Sequence, residues 1–433
     1  MYAESMQTWS DSARSAHQSA RLNELAGLLT RHNGFYQAKW RGLKPVAFTL
    51  EGLPELPFTL KGELLEDQRR HGPFGTNVTF PLDRYTRFHQ TSGTSGAPLR
   101  VLDTAENWRW WAECWRWILD AAGVAPGDRV MLAFSFGPFV GFWSAQEALQ
   151  QHGALLLPGG GMTTLQRLAM MRDLEASVLV CTPSYALHLA EVALREGMDP
   201  ARDLKVRKTI HAGEPGAGIP ATRERIEALW GAECFDHPGA SEIGAWGFSC
   251  SARRGVHVNE AEFIAEVLDP ATDLPVKPGE TGELVMTNLG RTGFPVVRYR
   301  SGDVVRPLAR HTCSCGRTSL LLEGGILGRR DDMVTIRGVN VFPSAFLALF
   351  NAVPDMGEHR LTAYRSQSMD QLHVEYEEQG TQDRRDQVVT LIREKLGIRV
   401  TIESRAAGSL PRFEAKAKRF HDRRHESWRP PKG

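Results

Sequence analysis

Val178-Leu179-Val180-Cys181-Thr182-Pro183-Ser184-Tyr185 is the stretch that decides the architecture. Four apolar residues in a row form a short strand, and Thr182 before Pro183 is a sound helix start. The threonine hydroxyl caps a free N–H, and proline at the first helical position has no N–H to leave unsatisfied. A helix is therefore expected over Tyr185–Arg195. Upstream, Val130-Met131-Leu132-Ala133-Phe134 is a second apolar run of the same kind. Strands alternating with helices at this spacing predict an α/β layered architecture with a largely parallel sheet.

Working outward, leucines at helical spacing between Ser12 and Arg31 predict a helix, which the Pro/Gly-rich stretch Leu43–Leu60 ends; this region reads as packing material. Trp108, Trp110, Trp111, Trp115 and Trp117 cover most of one helix, which reads as core or interface rather than as a ligand box. Between Glu262 and Val305 short β-like runs such as Gly282–Thr287 form a strand-rich subdomain. After Gly328 the pattern restarts, with an amphipathic helix Asp386–Leu396 and a strand Ile398–Ile402. A boundary at Gly328-Arg329-Arg330-Asp331 gives a large N-terminal α/β domain, 1–328, and a small mobile α+β C-terminal domain, 329–433. The basic tail from Arg412 to Gly433 reads as solvated apart from one lysine.

The bulk properties narrow the function. A chain of 433 residues, 42% hydrophobic and 24% charged, suffices for two globular domains. Its formal net charge of +1 leaves no whole-surface field for nucleic acid or anionic lipid. No basic-then-apolar leader opens the chain and no segment has bilayer-spanning length, so a cytoplasmic enzyme is expected. Six cysteines are too sparse for a disulfide framework; Cys114, Cys181 and Cys234 sit in apolar contexts, whereas Cys250, Cys313 and Cys315 require another explanation.

Thr91-Ser92-Gly93-Thr94-Ser95-Gly96 is the densest chemical signal: four hydroxyls and two glycines in six residues can turn donors toward one point and cradle phosphate oxygens. No Gly-Lys-Ser/Thr closes it, so it is not a Walker loop, and alone it could be a surface turn. Further motifs follow in order: His211-Ala212-Gly213-Glu214-Pro215, Gly239-Ala240-Ser241-Glu242, Arg298–Asp303, Gly328–Met333, Arg337–Pro343 and Gly408–Arg419. Together they resemble the adenylate-forming, acyl-CoA synthetase/luciferase-like superfamily, and their wording resembles the phenylacetate-CoA ligases, from about residue 85 to the end.

The resemblance implies a ligase that activates an aromatic acid with ATP as acyl-AMP and passes it to coenzyme A. Thr91–Gly96 would hold the outer phosphates. Glu242 would hold Mg²⁺ at the end of a strand, and Asp303, at a strand end, would take the ribose hydroxyls. Gly213, Glu214, Pro215, Asp236, His237, Pro238 and Ser241 would line the nucleotide. Arg329 would touch ribose or phosphate, Asp331 would be the hinge, Lys416 would bridge carboxylate and α-phosphate, and Gly338 would line the thiol tunnel. Phe139, Gly141 and Phe142 opposite Ala212, Gly239 and Ala240 would form a flat slot for an aromatic ring. A surface Glu, a turn-capping Asp, a surface ion pair and a Gly/Phe packing motif are the ordinary alternatives. The chain departs from the family at Pro238, where members often carry a stacking aromatic, at Ala97, where many have lysine, and at Ala415, where glycine is usual.

Cys250, His257, Cys313 and Cys315 make the three-thiolate, one-imidazole set that a closed structural Zn²⁺ site uses, with His311 as the alternative to His257 and unrelated reduced thiols as the plain reading. Some phenylacetate-CoA ligase relatives show a similar arrangement. Two rivals stand beside the CoA ligase: delivery of the acyl group to a carrier-protein phosphopantetheine arm, and a catalytically silent acyl- or nucleotide-binding protein. Neither nucleic acid nor membrane is expected as partner; a homodimer is compatible.

Overall fold

The computed structural model describes residues 4–43, 48–91, 97–134, 137–310, 313–330, 334–336, 339–353, 356–366, 369–378, 384–412, 418–426 and 428–430. At its centre lies a five-stranded parallel sheet with Leu155–Pro158, Arg129–Leu132, Val178–Cys181, Lys208–His211 and Glu233–Asp236 in spatial order. The apolar runs at the centre of the sheet, Val130–Leu132 and Val178–Cys181, have a physical cause. Val178 and Val180 pack into one hydrophobic cluster, Leu179 and Cys181 into another, so both faces are covered. One cover is the helix Ala105–Ala122, whose five tryptophans are all buried; the other is formed by Thr164–Asp173, Pro183–Arg195 and Pro220–Trp230. Burying each large apolar side chain contributes about 1.5–3 kcal/mol. As expected, Thr182 Oγ1 accepts the N–H of Tyr185 and Pro183 occupies the first turn.

From Arg129–Leu132 the chain steps outward to Leu155–Pro158 and then back across to Val178–Cys181. In such a sheet the crevice at the carboxyl ends of the strands, around this reversal, is where ligands bind. Phe139, Thr182, Ala212–Pro215 and His237–Ala240 all follow strand ends on that edge.

Antiparallel layers flank it. Phe263–Leu268, Gly282–Asn288, Tyr299–Val305 and Gly328–Arg329 form one sheet, and Gly247–Ser249, Gly255–Val258 and Leu321–Glu323 another. The helix Asp11–His32 straps them, with Gln18 Nε2 donating to the carbonyls of Glu260 and Phe263. The C-terminal sheet joins Met356–Ser366 and Met369–Glu378 as a hairpin, with Thr401–Ala406 and Phe420–Asp422 added in parallel on either side. It packs its own core, including Phe346, Phe350, Val374, Tyr376 and Ile392. Among the described residues no helix is long and apolar enough to cross a membrane.

Four expectations need correction. The strand expected at Ile398–Ile402 instead spans Thr401–Ala406, because pairing with Met369–Glu378 outweighs local propensity. The basic tail is not simply solvated: Phe420–Asp422 is an edge strand, and Arg419 forms a bidentate pair with Glu358. Asp303 lies within Tyr299–Val305, not at its end. Glu242 lies in the turn after Glu233–Asp236, six residues beyond the strand.

Candidate active site

Glu242 is buried on the rim, 7% exposed. Its turn is tight: Ala240 and Gly244 pair, and Gly244 has φ +133°, where any Cβ would run into Trp110 and Phe263. Tyr299 donates its hydroxyl to Glu242 Oε1 at 2.7 Å, and burial first, then the Glu242 charge, pushes that phenol well up, so it stays a donor. Lys61 Nζ, at the start of the helix Lys61–Arg70, is 3.7 Å from the same oxygen. Lys61 carried no local sequence signal, and Tyr299 stood in the Arg298–Asp303 motif with no role assigned to it; tertiary packing brings both there.

Behind the turn sits a fully buried ion pair. Arg291 donates to both oxygens of Asp103 at 2.7 Å, and its remaining nitrogen donates to the Ser241 carbonyl at 2.5 Å. Asp103 belongs to the strand Arg100–Thr104, which pairs with Tyr85–Gln90 on either side of the segment expected to cradle phosphate. At the loop base Thr91 N–H donates to the Leu99 carbonyl and Leu99 N–H to Thr91 Oγ1. Arg291 thus joins the loop's hairpin to the Glu242 turn. Ser92, Gly93, Thr94, Ser95, Gly96, Asp331, Gly338 and Lys416 lie outside the described residues, as does His311.

The adenine-side expectations separate into groups. Glu214 accepts from the N–H of Ser184 at 2.9 Å and from its hydroxyl, so its carboxylate caps the neighbouring helix; Gly213 makes the turn with φ +94°, and Pro215 is exposed beside it. Asp236 is half-buried by area, yet enough protein surrounds it to push its carboxyl up to about 7. A Cβ on Gly218 would stand 2.7 Å from Asp236 Oδ2, so that glycine leaves the space the carboxyl occupies. His237 instead points inward: Nδ1 contacts the Gly247 carbonyl at 2.9 Å, Trp115 lies edge-on at 4.4 Å, and burial pushes the ring down to about 4, neutral. Pro238 is buried and Gly239 exposed. Asp303 pairs with Arg329 across the ladder at 3.0 Å.

Around the slot expected for the acid, Phe142 stacks on Phe134 with centroids 3.3 Å apart, while Phe139 is 48% exposed. A Cβ on Gly141 would meet nothing within 4 Å, and Ala212 and Ala240 are half-buried.

The cysteine expectation comes together in space. One ligand atom from each of Cys250, His257, Cys313 and Cys315 lies within 4.8 Å of the others; Cys250 Sγ–Cys313 Sγ is 3.6 Å and Cys315 Sγ–His257 Nε2 is 3.4 Å. A tetrahedral Zn²⁺ with bonds of about 2.0–2.3 Å needs edges of roughly 3.5–3.8 Å, so the set fits. The hydrogen bond from Cys250 holds Cys315 well below the usual thiol range and drives Cys250 up, as crowded thiols sharing one charge must. A second group, His373, Glu375 and Glu403, is an ion-pair network instead, because Arg360 and Arg405 already hold Glu375.

Residues 338–424 match the AMP-binding enzyme C-terminal domain. The chain is 33% identical over 384 residues to the phenylacetate-coenzyme A ligase of Thermus thermophilus, covering 87% of this chain and 84% of the relative. It is 32% identical over 398 residues to that of Escherichia coli, covering 89% and 88%. It overlays the crystal structure of 2-hydroxyisobutyryl-CoA ligase in the postadenylation state with 2-HIB-AMP at TM-score 0.91 and 30% identity, covering 97% of this chain and 92% of that one. The same enzyme in the thioesterification state, with CoA, overlays at only 0.73, and in an open conformation at 0.74. The site on the sheet edge, the matching C-terminal domain and identity across most of both chains place this protein in the phenylacetate-CoA ligase family of adenylate-forming enzymes.

Proposed function

We propose that this AMP-forming acid–CoA ligase acts on an aromatic carboxylate of the phenylacetate or benzoate kind. The reaction has two steps. A carboxylate oxygen bonds to the α-phosphorus of ATP as pyrophosphate leaves, and the thiolate of CoA then attacks the acyl carbon of the acyl-adenylate as AMP leaves. The observation carrying the reading is Glu242, buried on the carboxyl edge of the sheet, tied through Ser241 and Arg291 to the hairpin of the phosphate loop.

On this reading Thr91 and residues 92–96 hold the outer phosphates, and Glu242 holds Mg²⁺, which would neutralise phosphate charge. Lys61 supplies a cation beside Glu242, in a chain whose loop carries Ala97 where many members have lysine. Asp303 takes the ribose, with Arg329 beside it, and Asp236 faces the adenine edge. Lys416 stabilises charge developing at the α-phosphorus, a task suited to a compact ammonium on a long stem. Asp331 is the hinge between domains 1–328 and 329–433, and Gly338 lines the thiol path. The slot between Phe142 and Ala212, Gly239 and Ala240 takes the ring. Cys250, His257, Cys313 and Cys315 hold a structural zinc. The compartment is the cytoplasm.

A short branched acid is the second reading, favoured by the close overlay on a 2-hydroxyisobutyryl-CoA ligase and by the Phe134–Phe142 stack narrowing the slot. Pyrophosphate release with ATP, Mg²⁺ and a panel of aryl and short alkyl acids, with and without CoA, tests both. An aryl acid that triggers release accelerated by CoA, and a Lys416→Ala variant that loses it, support the proposal. Release only with short hydroxy acids selects the second reading, release indifferent to CoA indicates a carrier-protein acceptor, and no release with any acid overturns the ligase.

A further inference from the structure

Several polar contacts join the C-terminal domain to the parallel-sheet layer, and Arg225 makes two of them. Arg225, on the helix Pro220–Trp230, donates Nη1 to Asn351 Oδ1 and to the Met356 carbonyl, both at 3.1 Å. Asn351, at the end of the helix Pro343–Ala352, donates back to Thr222 Oγ1 at 2.6 Å. Glu191, on Pro183–Arg195, stands between two arginines: Arg225 at 3.8 Å on its own side and Arg412 at 3.8 Å on the C-terminal side. Ser184, His188 and Arg412 line a cleft beside these contacts, so apolar packing does not seal the seam.

We infer that Arg225 is a positioning residue that clasps the C-terminal domain in the orientation for acid activation, and that breaking its contacts is part of the passage to the thiol step. The inference rests on the two-step reading above. The arrangement here is the one shared with the postadenylation state of 2-hydroxyisobutyryl-CoA ligase, and that enzyme in its thioesterification state overlays far less well at nearly the same identity. Both acceptors of Arg225 Nη1 lie on the part that must move. Nη1 meets both acceptors at once only in one relative orientation of the two parts, so rotation forfeits both contacts together. Water replaces them at modest net cost, which suits a contact made and released in each turnover. The clasp biases two orientations of similar free energy without locking either.

The test separates the half-reactions in Arg225→Ala, Asn351→Ala and the double variant. Acid-dependent ATP–pyrophosphate exchange reads the first half; consumption of supplied acyl-adenylate by CoA reads the second. Exchange is expected to slow about tenfold, equivalent to about 1.4 kcal/mol, in each variant, with the double variant no slower than the singles. Thioester formation is expected to be unchanged or faster. Hydrogen–deuterium exchange of Pro343–Ala352 in the ligand-free protein is expected to rise in Arg225→Ala. Equal loss in both half-reactions, or no change in exchange and protection, overturns the clasp. If the wild-type protein shows no acid-dependent exchange, the ligase reading is what fails, and the deuterium measurement still decides the clasp.

Discussion

At the scale of single residues, charge and burial around Glu242 decide what each side chain can do. Glu242→Gln keeps the hydrogen bond from Tyr299 but removes the charge, and a loss of at least about 100-fold in kcat/KM for MgATP is expected, roughly 2.7 kcal/mol, read from steady-state kinetics against Mg²⁺ concentration. Lys61→Met removes a half-exposed cation and is expected to cost about tenfold, with a weaker salt dependence than the parent. Asp236 gives a stability test with a definite sign. Its carboxyl titrates near 3.8 when free and at about 7 in the fold, so folding carries no penalty below about 4, a growing penalty up to 7 and a constant one above. Asp236→Asn is expected to melt with the parent at pH 4 and above it at pH 8. Equal melting temperatures at pH 8 would refute the buried carboxyl.

Elements are joined by a few charged or metal-like links. The Arg291–Asp103 pair is fully buried and connects three segments distant in sequence. Arg291→Met strands Asp103 without a partner, and a loss of about 3–5 kcal/mol in urea unfolding is expected. Adding Asp103→Leu recovers most of it, because the penalty lies in the unpaired charge rather than in the missing bond. The cysteine cluster acts on the strand-rich layers. Its loop is tied to the N-terminus: Thr318 donates N–H to the Gln7 carbonyl and Oγ1 to the Trp9 carbonyl, and Arg310 pairs with Glu260. One zinc per chain is expected by elemental analysis. Chelation or Cys313→Ser should lower the melting temperature and deprotect residues 7–14 more than the C-terminal sheet. Metal-free protein with unchanged melting would remove the site.

For the whole molecule, burial of neutral imidazoles sets the acid limit. His89, His211 and His237 are pushed down to about 4 and His359 to about 3, in each case chiefly by burial. A depressed histidine contributes stability above its free value of 6.5, and that contribution is lost as pH falls toward the folded value. Unfolding should therefore take up about four protons between pH 6.5 and 4, giving a steep fall in melting temperature over that window. A flat profile there would mean that these rings are solvated. The effect opposes that of Asp236, which eases as pH falls.

By itself the amino-acid order determined the layered α/β architecture, because central strands covered on both faces, such as Val130–Leu132 and Val178–Cys181, must be apolar, and Thr182-Pro183 starts a helix by local chemistry alone. It also determined the family, since Gly213, Glu242, Asp303 and the cysteine set stand in an order that packing constrains only as a whole. Tertiary structure alone decided that Lys61 and Tyr299 reach Glu242, that Arg291 spans Asp103 and Ser241, that His237 faces inward, and that Arg225 grips Asn351. Each of these joins residues far apart in the chain, and no local period or spacing encodes which of many arginines or lysines is folded against which carboxylate.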